Sequence, residues 1–206
     1  KNTQFFVTNL ASQLFFDKKI KDSVSLIIFN LEGKKILHKD FSIKKNQLLK
    51  IDFSQLDLSE KKGSFFVFHR LSDYKELIES GSYGSERGYV AYKEENGIWN
   101  FMHGNTTASY LDNKNKIKSL ASKSLFKSHY IPQVLFQDTD NFSLIFNNPS
   151  SSSIFARVIL FDKNKNIVGS EFSKLKRFET KIFNFDNSET YFVKIESNLI
   201  FCRPII

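Results

Sequence analysis

Apolar side chains in this chain recur at every second position, in short runs separated by Gly, Asn, Asp and paired Lys, which is the period of strands. In the first half this predicts strands over 5–8, 23–30, 35–41, 48–53 and 64–69, with Glu32-Gly33 as a tight turn. The run 23–30 is apolar on both phases, as in a central strand covered on both faces. A short helix is expected over 73–80, where Asp73 and Glu76 have capping-box spacing and Gly81 stops it. Asn96-Gly97 between alternating runs then marks a hairpin of strands 89–93 and 98–103. An even-numbered connection would set Val90 and Tyr92 on the inward face with Trp99, Phe101 and His103.

Residues 113–128 have another texture, with Ile117, Leu120, Ala121 and Leu125 on one side of a helix and lysines mostly elsewhere. Beyond them, strands are expected over 133–137, 142–146, 154–161, 166–172, 177–185, 190–196 and 199–203, with Asn148-Pro149 and four serines as a loop. The two halves repeat one another. Phe29, Ile36, Phe41 and Phe53 correspond to Phe161, Ile167, Phe172 and Phe185, an offset of 132 with the first turn one residue shorter in the second copy. The pattern implies an all-β chain of two tandem antiparallel β-sandwiches, with one or two short helices in the connections. The divisions read as a first module with the aromatic hairpin (1–112), a basic and helical linker (113–128) and a second module (129–206).

This spacing of short strands resembles bacterial immunoglobulin-like or fibronectin type III-like sandwich modules across most of both halves. The second half departs from antibody domains in having neither paired cysteines nor a tryptophan, since the sole Trp99 lies in the first.

Composition agrees with two packed cores: 206 residues, 41% apolar, 25% charged and 23 Phe. The net charge of +8 comes mainly from lysine, with five arginines (Arg70, Arg87, Arg157, Arg177 and Arg203). Because planar, bidentate recognition favours arginine, and the lysine pairs fall at expected turns, nucleic acid or an anionic surface ranks behind other partners. Cys202 alone excludes an intramolecular disulfide, and no apolar run is long enough for a membrane-spanning helix. A first residue of Lys1 suggests processing or excision, so the compartment stays open, with an extracytoplasmic or cell-surface setting favoured.

Nucleophile-elbow, phosphate-loop and zinc-protease signatures are missing, and the glycine-rich 81–88 reads as a connector. Asp162, Asn164 and Asn166 start like a calcium loop, but Ile167 and Ser173 replace the turn glycine and the bidentate glutamate; Asp138 and Asp140 supply too few oxygens. No cofactor or metal is implied. The candidate ligand-binding residues are Arg87, Tyr89, His103 and Asn105, at the strand-to-loop end of the aromatic hairpin. The expected function is a non-catalytic binding or structural module for a protein or glycan, with self-association through edge strands. The competitors are an enzyme centred on Arg87, His103 and Asn105, with Glu86 or Glu94 as acid or base, and a nucleic-acid binder.

Overall fold

A computed structural model describes residues 2–9, 22–71, 88–93, 97–103, 109–119, 123–132, 136, 141–186 and 189–199, with Leu71, Met102 and His103 as backbone alone. The chain is all-β and sandwich-like. Its strands are β1 (Asn2–Thr8), β2 (Asp22–Asn30), β3 (Lys35–Ile43), β4 (Leu48–Asp52), β5 (Gly63–Leu71), β6 (Tyr89–Lys93), β7 (Trp99–His103) and β8 (Ser109–Leu111). They continue as β9 (Ile117–Ser119), β10 (Lys123–Tyr130), β11 (Asn141–Asn147), β12 (Ile154–Phe161), β13 (Ile167–Leu175), β14 (Thr180–Asp186) and β15 (Phe192–Leu199). One 3-10 turn, Phe53–Gln55, follows β4. Among the described residues no helix is long and apolar enough to cross a membrane.

The strands form sheets ordered β4-β1-β6-β7, β3-β2-β5, β10-β15-β12-β13 and β11-β14, with β8-β9 as a separate hairpin. Contacts divide the chain into two compact units: residues 1–28, 36–59 and 65–106 in one, and 29–35, 60–64 and 107–206 in the other. In the first unit, alternation turns Phe5 and Val7 of β1, Ile51 of β4 and Val90 of β6 toward Val24, Leu26 and Ile28 of β2 and Ile43 of β3. In the second, Leu144 and Phe146 of β11 and Phe183 and Phe185 of β14 meet Ala156, Val158 and Leu160 of β12 and Val193 and Ile195 of β15. Each core thus lies between the inner faces of two sheets.

Three hairpins turn alike. Asn30, Asp112 and Asp162 each donate their N–H to the carbonyl four residues on, at 3.0 Å, and accept from the residue three on, at 3.1, 2.9 and 3.1 Å. The accepting geometry requires positive φ at the third residue, found at Gly33 (78°), Asn115 (58°) and Lys165 (67°). Gly33 has a second reason to be glycine, because a Cβ there would lie 2.6 Å from the Arg177 carbonyl oxygen. The tight turn expected at Glu32-Gly33 is therefore present.

Several sequence expectations need correction. The turn in 162–166 is as long as that in 30–34; the irregularity lies in the ladder instead, where Leu160 faces Gly169 and Phe161 faces Ile167. This bulge leaves Val168 packed on the core and Ile167 exposed, so Val168 occupies the place that Ile36 has, also at an offset of 132. Phe172 is exposed as well, whereas Phe41 packs against its core. In the aromatic hairpin the ladder pairs Lys93 with Trp99 and Ala91 with Phe101, so five residues, 94–98, make the connection. An odd connection inverts the expected parity: Val90 and Tyr92 share their face with Met102 and Asn100 positions, and Phe101 is 65% exposed.

The described residues of the segment expected to be a helical linker hold a hairpin turn and two strands instead. Residues 117–119 and 123–130 are strands, and Leu125, assigned to a buried helical face, is 100% exposed. Hydrogen bonding of β10 to the otherwise open edge of β15 outweighs the local helical period. The break expected between 196 and 199 is also absent: β15 runs through Ser197 and Asn198, whose side chains bond to the Phe155 carbonyl and amide at 2.7 and 2.9 Å. The expected helix over 73–80, and the strands over 133–137 (save Phe136) and 200–203, lie outside the described residues.

The serine loop after β11 is held from inside. Asn148 is fully buried; its Nδ2 donates to the carbonyls of Ser152, Leu175 and Lys176 at 2.9, 3.2 and 3.0 Å, and its Oδ1 accepts from the Ser150 amide and hydroxyl. Stripping one side of a buried hydrogen bond costs about 1–3 kcal/mol for each group left unpaired. Asn148→Ala is accordingly expected to lower the unfolding free energy by about 3 kcal/mol or more in urea titration, with a loss under about 0.5 kcal/mol counting against this account of the loop.

Candidate functional site

Of the four sequence candidates, the described residues include one complete side chain. Tyr89 opens β6, is half exposed and stands opposite the His103 position of β7. Gly88 just before it has φ 60°, and a Cβ there would meet the Phe5 ring at 2.2 Å, so the entry to this strand is fixed by close packing. Arg87, Asn105, Glu86, Glu94 and the His103 side chain lie outside the described residues. At the other end of this hairpin ladder, where Lys93 pairs with Trp99, Lys93 Nζ lies 5.7 Å from the Trp99 ring centre, a cation–π contact.

Three histidines stand beside carboxylates. His69 Nδ1 is 2.8 Å from Asp22 Oδ2, where the aspartate is almost wholly enclosed. His38 Nε2 is 3.5 Å from Asp40 Oδ1, and His129 Nδ1 is 3.6 Å from Glu196 Oε1. A serine nucleophile would have to donate to the imidazole. Ser25 instead donates to Asp40 itself, at 2.5 Å, which spends its proton on the carboxylate. No group of three or more His, Cys, Asp or Glu able to hold a metal occurs among the described residues. At the turn read as an incomplete calcium loop, Asp162 Oδ1 accepts the amides of Asn164 and Asn166, both at 2.8 Å, and Oδ2 accepts Asn166 Nδ2. The Asn166 side chain first, and these amides after it, hold the Asp162 carboxyl below its ordinary value against some desolvation.

Among the described residues, a surface equipped for a ligand is the outer face of the sheet β10-β15-β12-β13. Its origin is the alternation of β12: Ala156, Val158 and Leu160 point inward, so Phe155 and Arg157 point outward. Cross-strand register sets Glu196 on one side of Arg157 and Phe172 on the other, with His129 beyond Glu196. Lys174 faces Phe155, and Ser170 and Lys194 flank Ile159. The result is an open groove of about 500 Å³ lined by Lys127, Phe155, Arg157, Ser170, Phe172 and Glu196. It is open to solvent rather than an enclosed cavity.

Two features give the groove its chemistry. Phe155 and Phe172 present rings 6.0 Å apart with planes 21° from parallel. Glu196, 8% exposed, is ringed by basic side chains: Lys194 Nζ at 3.1 Å, His129 Nδ1 at 3.6 Å and Lys127 Nζ at 3.9 Å. Desolvation alone would raise its pKa, but the Lys194 hydrogen bond and the charges of Lys194, Lys127 and His129 prevail and hold it below the usual glutamate value. Arg157 takes no part in this and, half-buried, has no hydrogen-bond or ion-pair partner among the described residues.

Sequence reasoning missed this site for a definite reason. Arg157 is the one outward charge in an otherwise apolar central strand, which was a readable signal. But Phe172, Glu196 and Lys127 join it only through a register that no local pattern encodes, and Lys127 had been assigned to a helix. Comparison with known protein families, curated proteins and solved structures finds no match to this chain.

The lowered pKa of Glu196 has a testable consequence. Since the folded value lies below the unfolded one, the carboxylate adds stability that is complete above the ordinary glutamate value and lost as pH falls through the folded value. Urea unfolding should therefore show Glu196→Gln less stable than the parent at pH 7, with the gap narrowing below about pH 4. A gap unchanged down to strong acid would contradict the role given to this charge.

Proposed function

We propose that the chain is a non-catalytic binding module built from two copies of one five-strand, immunoglobulin-like sandwich, which contacts a protein or glycan partner through the outer face of β10-β15-β12-β13. Duplication is supported by structure that recurs at one offset. Asn30 and Asp162 begin the same turn, and a second pair of turns, 44–47 and 176–179, closes with equivalent amide-to-carbonyl bonds of 3.2 Å. In that second pair the side chains of Gln47 and Glu179 each accept the first amide of their turn, at 2.8 and 2.7 Å. The positive φ positions Asn46 (56°) and Phe178 (62°) are likewise 132 residues apart.

Strand order supports the same reading. In the first half β1 pairs with β4 while β2 lies between β3 and β5; in the second β11 pairs with β14 while β12 lies between β13 and β15. First and fourth strands in one sheet, with second, third and fifth in the other, is a division that immunoglobulin-like sandwiches share. Binding is favoured over catalysis by the groove, the single observation that carries the proposal: a mixed aromatic and basic surface on a rigid sheet, where the carboxylate is tied up by Lys194, Lys127 and His129 and so is poorly placed to move protons.

Ser170 lines the groove from the exposed edge strand β13, so a bulky side chain there would fill the space without disturbing a core. Intact protein probed against glycan and peptide arrays is expected to bind saturably, and Ser170→Trp to weaken that binding about tenfold or more. Absence of any binding, or binding indifferent to Ser170→Trp, would refute the assignment.

A further inference from the structure

Resting on the binding-module reading, we infer that the groove takes a saccharide carrying a carboxylate, such as a chain with hexuronate units, and that Arg157 grips the carboxylate. The sign of the ligand follows from charge. Among the described residues of the sheet, Lys127, Arg157, Lys174 and Lys194 share the face with one carboxylate, Glu196, already engaged by Lys194, Lys127 and His129. Arg157 neighbours Glu196 in register, yet no ion pair joins them within 4.0 Å. Arg157 is half-buried as a residue, and its planar fork matches a carboxylate in two parallel hydrogen bonds.

The rest of the lining suits a sugar. The nearly parallel rings of Phe155 and Phe172 offer flat apolar faces for the C–H side of a pyranose. Ser170 and Glu196 supply a hydroxyl and an acceptor at the groove for ring hydroxyls. An extended acidic peptide fits less well. The floor belongs to β12 and β15, both paired on two sides, so their main-chain groups are committed to the ladder and cannot bond a peptide backbone as an open edge would. Recognition must come from side chains on a sheet face, which is how hydroxyls and a carboxylate are read.

The test uses the intact protein in titration calorimetry at low salt with four probes: a hexuronate oligosaccharide, the same oligosaccharide with its carboxylates reduced to alcohols, a sulfated glycan of equal length and an acidic peptide. The hexuronate chain is expected to bind, and the carboxyl-reduced chain to bind at least about tenfold more weakly, the usual worth of a charge-assisted contact. Arg157→Gln should lose about tenfold or more for the hexuronate chain and clearly less for the reduced chain, which has no carboxylate to lose. Arg157→Lys should recover only part, because an ammonium lacks the fork. Thermal melting verifies folding; if Arg157→Gln does not fold, Phe172→Ala on the exposed edge strand decides, with a loss of several-fold expected. Equal binding of native and reduced chains, tighter binding of the sulfated glycan, or indifference to both substitutions would overturn the inference. Binding of the peptide or the neutral chain alone would overturn it and leave the binding-module reading standing; binding of no array component would end both.

Discussion

The structure depends on one constraint: a central strand has its backbone committed to neighbours on both sides, so only its side chains remain to make a core on one face and a surface on the other. In β12 the inward series Ala156, Val158, Leu160 fills a core against Leu144 and Phe183, and the outward series Phe155, Arg157 becomes available for recognition as a direct result. In β2 the inward series Val24, Leu26, Ile28 does the same work, while outward Ser25 is consumed in a bond to Asp40. The same strand geometry therefore gives a groove in one unit and an internally satisfied polar contact in the other.

Local chemistry made part of this legible in the sequence. Glycine at 33 and the acidic or amide residue opening each turn announce hairpins, because a left-handed residue and a side-chain acceptor are what these turns need. Alternation located most strands and both apolar cores. Where reading failed, the deciding force was nonlocal. Leu125 and Ile117 match a helical stripe, but the open edge of β15 recruits Leu125 into β10, and Ile117 pairs with Leu111 in the β8-β9 hairpin. Asn96-Gly97 marks the right hairpin, yet five residues separate the ladder ends, and one residue of parity exchanges inside for outside, carrying Phe101 to the surface.

The candidate site was less legible than the fold for the same reason. Tyr89 and the His103 position are cross-strand neighbours, as the hairpin implied. The groove around Arg157 is instead composed by four strands drawn from residues 123–199, and only register brings Phe172, Glu196 and His129 into one row with it. Its electrostatics are collective too: Glu196 is stabilised as a carboxylate by Lys194, Lys127 and His129, and Arg157 is not among the groups that hold it.

Amide hydrogen exchange on the intact protein, resolved by residue, tests the central claim most directly. The account predicts the slowest exchange in the two central strands, at 24–28 and 156–160, with faster exchange along the edge strands β3, β10 and β13. Protection spread evenly over central and edge strands, or strongest in 113–128, would contradict it.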